Sequence, residues 1–206
     1  MREAIVVSLE RRALSGGASW FAQIDDEEFL VGADVRYQSR RGLMMRAPQG
    51  YLKYDADGWR TTLGVWADMI AITSEVEGQG DLCTVNSYDR AAFTFGLMQW
   101  GAHTPNDNFV LLLRRLLALP SASAYFPDLC CGADGRVARR LDNGLEPLES
   151  ASSTVALQRY LNPDETKVDE AEATAAAKLI HWVKHDGEAR DALIRFAVEH
   201  YRNKVA

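Results

Sequence analysis

The chain has 206 residues, 47% of them hydrophobic and 25% charged, with a net charge of −6; this suits a single globular domain with a sizeable core. The arginines are scattered in pairs (Arg11–Arg12, Arg40–Arg41, Arg114–Arg115, Arg139–Arg140) and form no basic stripe, so nucleic acid is excluded as the expected partner. No apolar run approaches the roughly 18 residues of a membrane span.

Read along the chain, the apolar start "AIVV" is too short for a signal-peptide core. Synthesis in the cytoplasm without a classical leader is expected, with release or specialised secretion as the route out. Residues 1–60 read as a strand-rich segment packed on the core. "SWFAQI", "EFLVGADVRYQS" and "GLMMRA" carry β-branched and aromatic residues, with turns at Pro48, Gly50, Asp57 and Gly58. "DADG" (Asp55 to Gly58) hints at a calcium loop, but the remaining ligand spacing is missing.

Residues 61–206 read as the main domain. A buried amphipathic helix is expected up to Gly78, with Thr61 or Thr62 as its N-cap and Leu63, Trp66, Met69, Ile70 and Val76 on its apolar face. A loop and a short hairpin follow. "NDNFVLLLRRLLALP" is a central core helix capped by Asn106 or Asp107 and stopped by Pro120. Asp134-Gly135 and Asn143-Gly144 mark a loop or small hairpin. Three helices close the chain: one ended by Asn162-Pro163, one starting near Asp164 and Glu165, and one after Gly187. The expected fold is α+β: mostly helical, with a small antiparallel hairpin sheet.

The stretch "ITSEVEGQGDLCTVNSYDRAAFTFGLMQWG", Ile72 to Gly101, sets carboxylates beside aromatic residues. Cleaving a glycosidic bond needs one carboxyl that keeps a proton and one that stays ionised. Glu77, at the end of an apolar helix, is placed for the first role if burial holds its proton. Asp89, in a polar turn, is placed for the second. Thr94 can hold the attacking water, while Gln99, Tyr88, Glu75 and His103 can contact a sugar. Glu75 competes with Glu77 and reads more simply as a solvated helix residue; Asp89 also reads as a plain turn residue.

These residues carry a resemblance. "ITSEVEG" resembles the helix end that bears the catalytic glutamate in family 46 chitosanases, and "DRAAFTFGLMQW" resembles the segment of that family with an aspartate followed by a threonine. The order is also similar to phage-type lysozymes, and "GLMQ" to lytic transglycosylases. All belong to the lysozyme-like superfamily. The resemblance covers about thirty residues and implies a lysozyme-like fold with Glu77 as general acid, Asp89 as base and Thr94 as water holder. The Glu-to-Asp spacing is shorter than in the chitosanases and longer than in phage lysozymes, and Ala91 and Ala92 stand where the chitosanase turn is richer in glycine. The implied reaction is hydrolysis of β-1,4 bonds in an N-acetylglucosamine-containing polysaccharide, first of all peptidoglycan. Chitosan is the alternative, and transglycosylase chemistry or a non-catalytic glycan-binding or assembly module are further ones.

No metal or cofactor is expected. Cys83, Cys130 and Cys131 are odd in number and lack a CxxC pair, which argues against a disulfide framework or a zinc–thiolate site; Cys83 also lacks a histidine partner in sequence. His181 and His185 have i, i+4 spacing, but Trp182 stands where a zinc protease would place its glutamate. Phe93, Phe95, Trp100, Trp20, Trp59 and Trp66 read as core.

Overall fold

The computed structural model describes residues 3–45 and 52–205. The turns read at Pro48 and Gly50 lie outside the described residues. Four long strands open the chain: β1 (Val7–Leu14), β2 (Gly17–Ile24), β3 (Glu27–Tyr37) and β4 (Arg40–Met44). Alternation sets their faces, with Trp20, Ala22 and Ile24 of β2 turned inward. The sequence reading did not mark β1 as a strand. Only Val7 and Leu9 among its early apolar residues are sheltered, and Arg12 bridges to Glu10 and Glu28 across the edge of the sheet. Such a charged edge resists pairing with other chains.

The sheet does not stop at β4. It continues through three short strands, β5 (Val85–Asn86), β6 (Thr94–Phe95) and β7 (Trp100–Gly101), all antiparallel and in chain order. The small hairpin sheet expected from sequence is thus the far end of a seven-stranded sheet. The link is narrow: Met44 pairs with Asn86, and Ser87 N–H donates to Leu43 O at 3.0 Å. Two-residue strands carry too little periodicity to announce that connection.

Between β4 and β5 lie α1 (Ala56–Leu63) and α2 (Val65–Gly78). "DADG" is not a turn but the start of α1. Asp55 caps α1 by accepting from Asp57 N–H at 3.0 Å, and Thr61 and Thr62 lie inside that helix. Gly64, at φ 58°, separates α1 from α2. α2 packs through Ala67, Ile70, Ser74 and Gly78, whereas Val65, Met69, Ile72 and Val76 face solvent, Val76 at 80% exposure. Of the apolar face expected from sequence, Ile70 is buried and Leu63 and Trp66 pack against the core, while Met69 and Val76 do not; close approach brought in the small residues instead.

α3 (Asn108–Leu117), capped by Asp107, buries Phe109, Val110, Leu112, Leu113 and Leu116 at the centre of the core. After α4 (Ala122–Tyr125) come β8 (Leu129–Cys131), β9 (Val137–Leu141) and β10 (Gly144–Pro147), a three-stranded sheet where a loop or single hairpin was expected. Arg114 of α3 grips Glu149 just past β10 through two hydrogen bonds, at 2.9 and 2.6 Å. α5 (Val155–Leu161) ends at Asn162 as expected. α6 (Glu170–His185) starts later than Asp164, because Asp164 turns back on Thr166 and Asp169 forms a capping box with Glu172. α7 (Gly187–Val205) completes the chain. α6 packs beneath β1–β3, and α7 packs on α2, α3 and α6. One continuous core runs from Trp20 to Val198, with Phe93, Phe95 and Trp182 fully buried. Among the described residues no helix is long and apolar enough to cross a membrane.

Gly42 of β4 lets the loop after β5 approach closely. A Cβ there would sit 2.5 Å from the Ser87 carbonyl carbon and 2.6 Å from the Tyr88 nitrogen, backbone atoms that cannot step aside. Gly42→Ala is expected to destabilise the fold by about 1–3 kcal/mol, in the range of overpacking, read as a lower urea midpoint.

Candidate active site

Gly78, the last residue of α2, packs where a Cβ would lie 2.7 Å from Thr84 Oγ1. Gln79 then turns the chain in a left-handed cap, its N–H bonding back to Glu75 O and Ser74 O. Glu77, one residue before this closure, is exposed. The burial from which the sequence reading drew its proton-holding role is therefore missing.

Asp89 sits on the loop between β5 and β6. Its Oδ1 accepts from Ala91 N–H at 2.8 Å, and its backbone carbonyl accepts from Arg40 Nη1 at 2.8 Å. Below, Asn162 Nδ2 donates to both Ser87 O (3.1 Å) and Ala92 O (2.9 Å). Glu172 bonds Ser87 Oγ and accepts from Leu43 N–H at 3.1 Å. Ala92, at φ 59°, holds a conformation unfavourable for a residue with a side chain, and these clamps over-determine it.

Thr94 of β6 reaches Asn86 O (3.2 Å) and Gln99 Oε1 (3.1 Å), and Asn86 Nδ2 donates to Gln99 Oε1 at 2.5 Å. Asn86 Oδ1 and Gln99 Nε2 are buried with no partner among the described residues. Exchanging oxygen and nitrogen in both amides preserves their mutual bond and still leaves one donor and one acceptor unmet.

These side chains meet. A cavity of about 450 Å³ is lined by Glu77, Asp89, Thr94, Gln99 and His103, together with Trp100, Asn108, His200 and Lys204. A neighbouring cavity of about 220 Å³ shares Glu77 and Gln99 and is lined by Tyr88, Asn86 and Val76. Glu75 lines neither; it is exposed, and its Oε2 lies over Gly80. Cys83 is buried and donates to Ile180 O at 3.7 Å. Trp100, read as core, is 3% exposed and also walls the larger cavity.

The sequence reading missed the wall from α7. His200 and Lys204 stand one turn apart and flank Asp107, with Lys204 Nζ 3.0 Å from Asp107 Oδ2. Burial lowers the His200 pKa, with Asp107 opposing. The i, i+4 spacing of the two was visible, but nothing local said which cavity they face. The supports Asn162 and Glu172 were missed for the same reason.

Compared with family models, curated proteins and solved structures, the chain matches none. The site's chemistry therefore carries the functional argument.

Glu172 offers a test of the clamp. Burial raises its pKa from 4.5 to about 7, with the bonds from Ser87 and Leu43 opposing. The folded protein then holds a proton that the unfolded chain has released. Its contribution to stability is full below pH 4.5 and is lost as pH rises through about 7. Glu172→Gln should flatten that part of the decline, so that urea midpoints at about pH 5 and pH 8 differ less than in the wild type. An unchanged pH dependence would remove Glu172 as its source.

Proposed function

We propose that this chain is a lysozyme-like glycoside hydrolase that cleaves β-1,4 bonds in an N-acetylglucosamine-containing polysaccharide, with peptidoglycan as the first substrate. The observation that carries the proposal is the meeting of Glu77, from a helix end, with Asp89 and Thr94, from the facing hairpin, around one cavity. In this reading Glu77 protonates the departing glycosidic oxygen, and its exposure in the free protein means that the bound glycan must supply the desolvation that holds the proton. Asp89, fixed through Oδ1 and its carbonyl, takes a proton from the attacking water. Thr94 Oγ1 helps to place that water. Protonation and water attack from opposite faces of the ring give inversion, for which carboxyl separations of roughly 6.5–9.5 Å are usual.

His103, His200 and Lys204 favour peptidoglycan over chitosan. Their hydrogen-bond donors suit acetamido and carboxylate substituents, while the Lys204 ammonium is already paired with Asp107 and adds little repulsion toward a cationic polymer. The net charge of −6 favours chitosan instead, but it acts at long range and is screened by salt.

The experiment is digestion of purified peptidoglycan and, in parallel, chitosan, with products read by mass spectrometry. Glu77→Gln should lower turnover by about 10²–10⁴-fold or more while keeping the fold, and full activity in that variant would overturn the assignment. Asp89→Asn should lower it comparably. Survival of activity in Asp89→Asn with anhydro-sugar ends would instead mean transglycosylase chemistry, and silence on both polymers would leave a glycan-binding module.

A further inference from the structure

Away from the cleft, Glu27, His181 and His185 each bring one ligand atom into a cluster in which all three atoms lie within 4.8 Å of one another. The two histidines are one turn apart on α6, with ring centroids 4.3 Å apart. The sequence alone argued against metal at this pair because Trp182 replaces the expected glutamate. The carboxylate comes instead from the first residue of β3, 154 positions before His181.

We infer that Glu27, His181 and His185 form a divalent-metal site of zinc-binding character, which fastens the β2–β3 hairpin to the end of α6. Two imidazoles and one carboxylate are a donor set that suits zinc, with a water completing four-coordination. His181 is 7% exposed, and its Nδ1 lies 3.0 Å from the Tyr125 hydroxyl. That bond fixes the ring and leaves Nε2 for the cluster, the outer support expected of a ligating histidine. Glu27 divides its two oxygens: Oε1 bonds the Lys184 ammonium, and Oε2 lies 2.5 Å from His185 Nε2. An ion enters by replacing the second of these contacts, while Lys184 continues to hold the other oxygen. Glu27 and His185 are partly exposed, so solvent can deliver both the ion and its water ligand.

A plain ion-paired cluster is the competing description, and the two separate cleanly by experiment. The full chain, stripped with EDTA, is titrated with zinc chloride by calorimetry and followed by thermal melting. One equivalent should bind and raise the melting temperature. His185→Gln and Glu27→Gln should each weaken binding by about a hundredfold, the upper range seen even for outer-shell changes, with circular dichroism confirming their fold. Cobalt(II) in the wild type should give visible bands of a four-coordinate nitrogen–oxygen site without thiolate charge transfer. No stoichiometric binding, or binding that survives both substitutions, would overturn the site. A thiolate band would do the same, assigning the metal to Cys130 and Cys131.

Discussion

The structure turns on one buried carboxyl group. Glu172 sits at the third position of α6, and from there it joins three elements: the helix's own cap at Asp169, the backbone of β4 at Leu43, and the hydroxyl of Ser87 at the root of the Asp89 loop. Burying a carboxyl is costly unless it is neutral or well bonded, and here both conditions help. The group is fully buried and its pKa is pushed up to about 7. Because its bonds run to otherwise separate parts of the chain, loss of Glu172 would loosen a junction, not a single contact.

Asn162 extends the junction. Its amide satisfies Ser87 O and Ala92 O at once, the two ends of the loop that carries Asp89. With Arg40 holding the Asp89 carbonyl, the loop is anchored from three sides. The opposite lip is less constrained: Glu77 is an exposed residue whose position depends on the helix end it rides on. The candidate site therefore pairs a clamped carboxylate with an exposed one, and in the proposed reading the exposed one takes its environment from the substrate.

Much of this was legible in the sequence, within limits that have physical causes. The helix ends at Gly78, just before Pro120 and at Asn162 were readable because caps and breakers act locally. So was the grouping of Glu77, Asp89, Thr94 and Gln99, which a helix end and a hairpin bring together over a short span. The packed face of α2 was legible only in part: Ile70 and Trp66 were expected there, but Ala67 and Ser74 carry little hydrophobic signal yet permit the closest packing. Nor was the continuity of the sheet from β4 to β5, which rests on one residue pair across about forty residues of intervening chain. His200, Lys204, Asn162 and Glu172 escaped because their partners lie far away in sequence, and one chain read alone contains no record of such contacts.

That split between near and far contacts also orders the assembly of the cleft in time. The strands of the large sheet stand in chain order, and the residues from Glu77 to Gln99 meet by closing short loops, which costs little entropy and happens early. The Leu43–Glu172 bond closes a loop of 129 residues, and the α7 wall joins later still. During synthesis the acidic side chains would leave the ribosome well before the helices that pin and enclose them. The nascent chain thus holds Glu77, Asp89 and Thr94 together while lacking the walls that make a cleft, which closes only when the final helices dock.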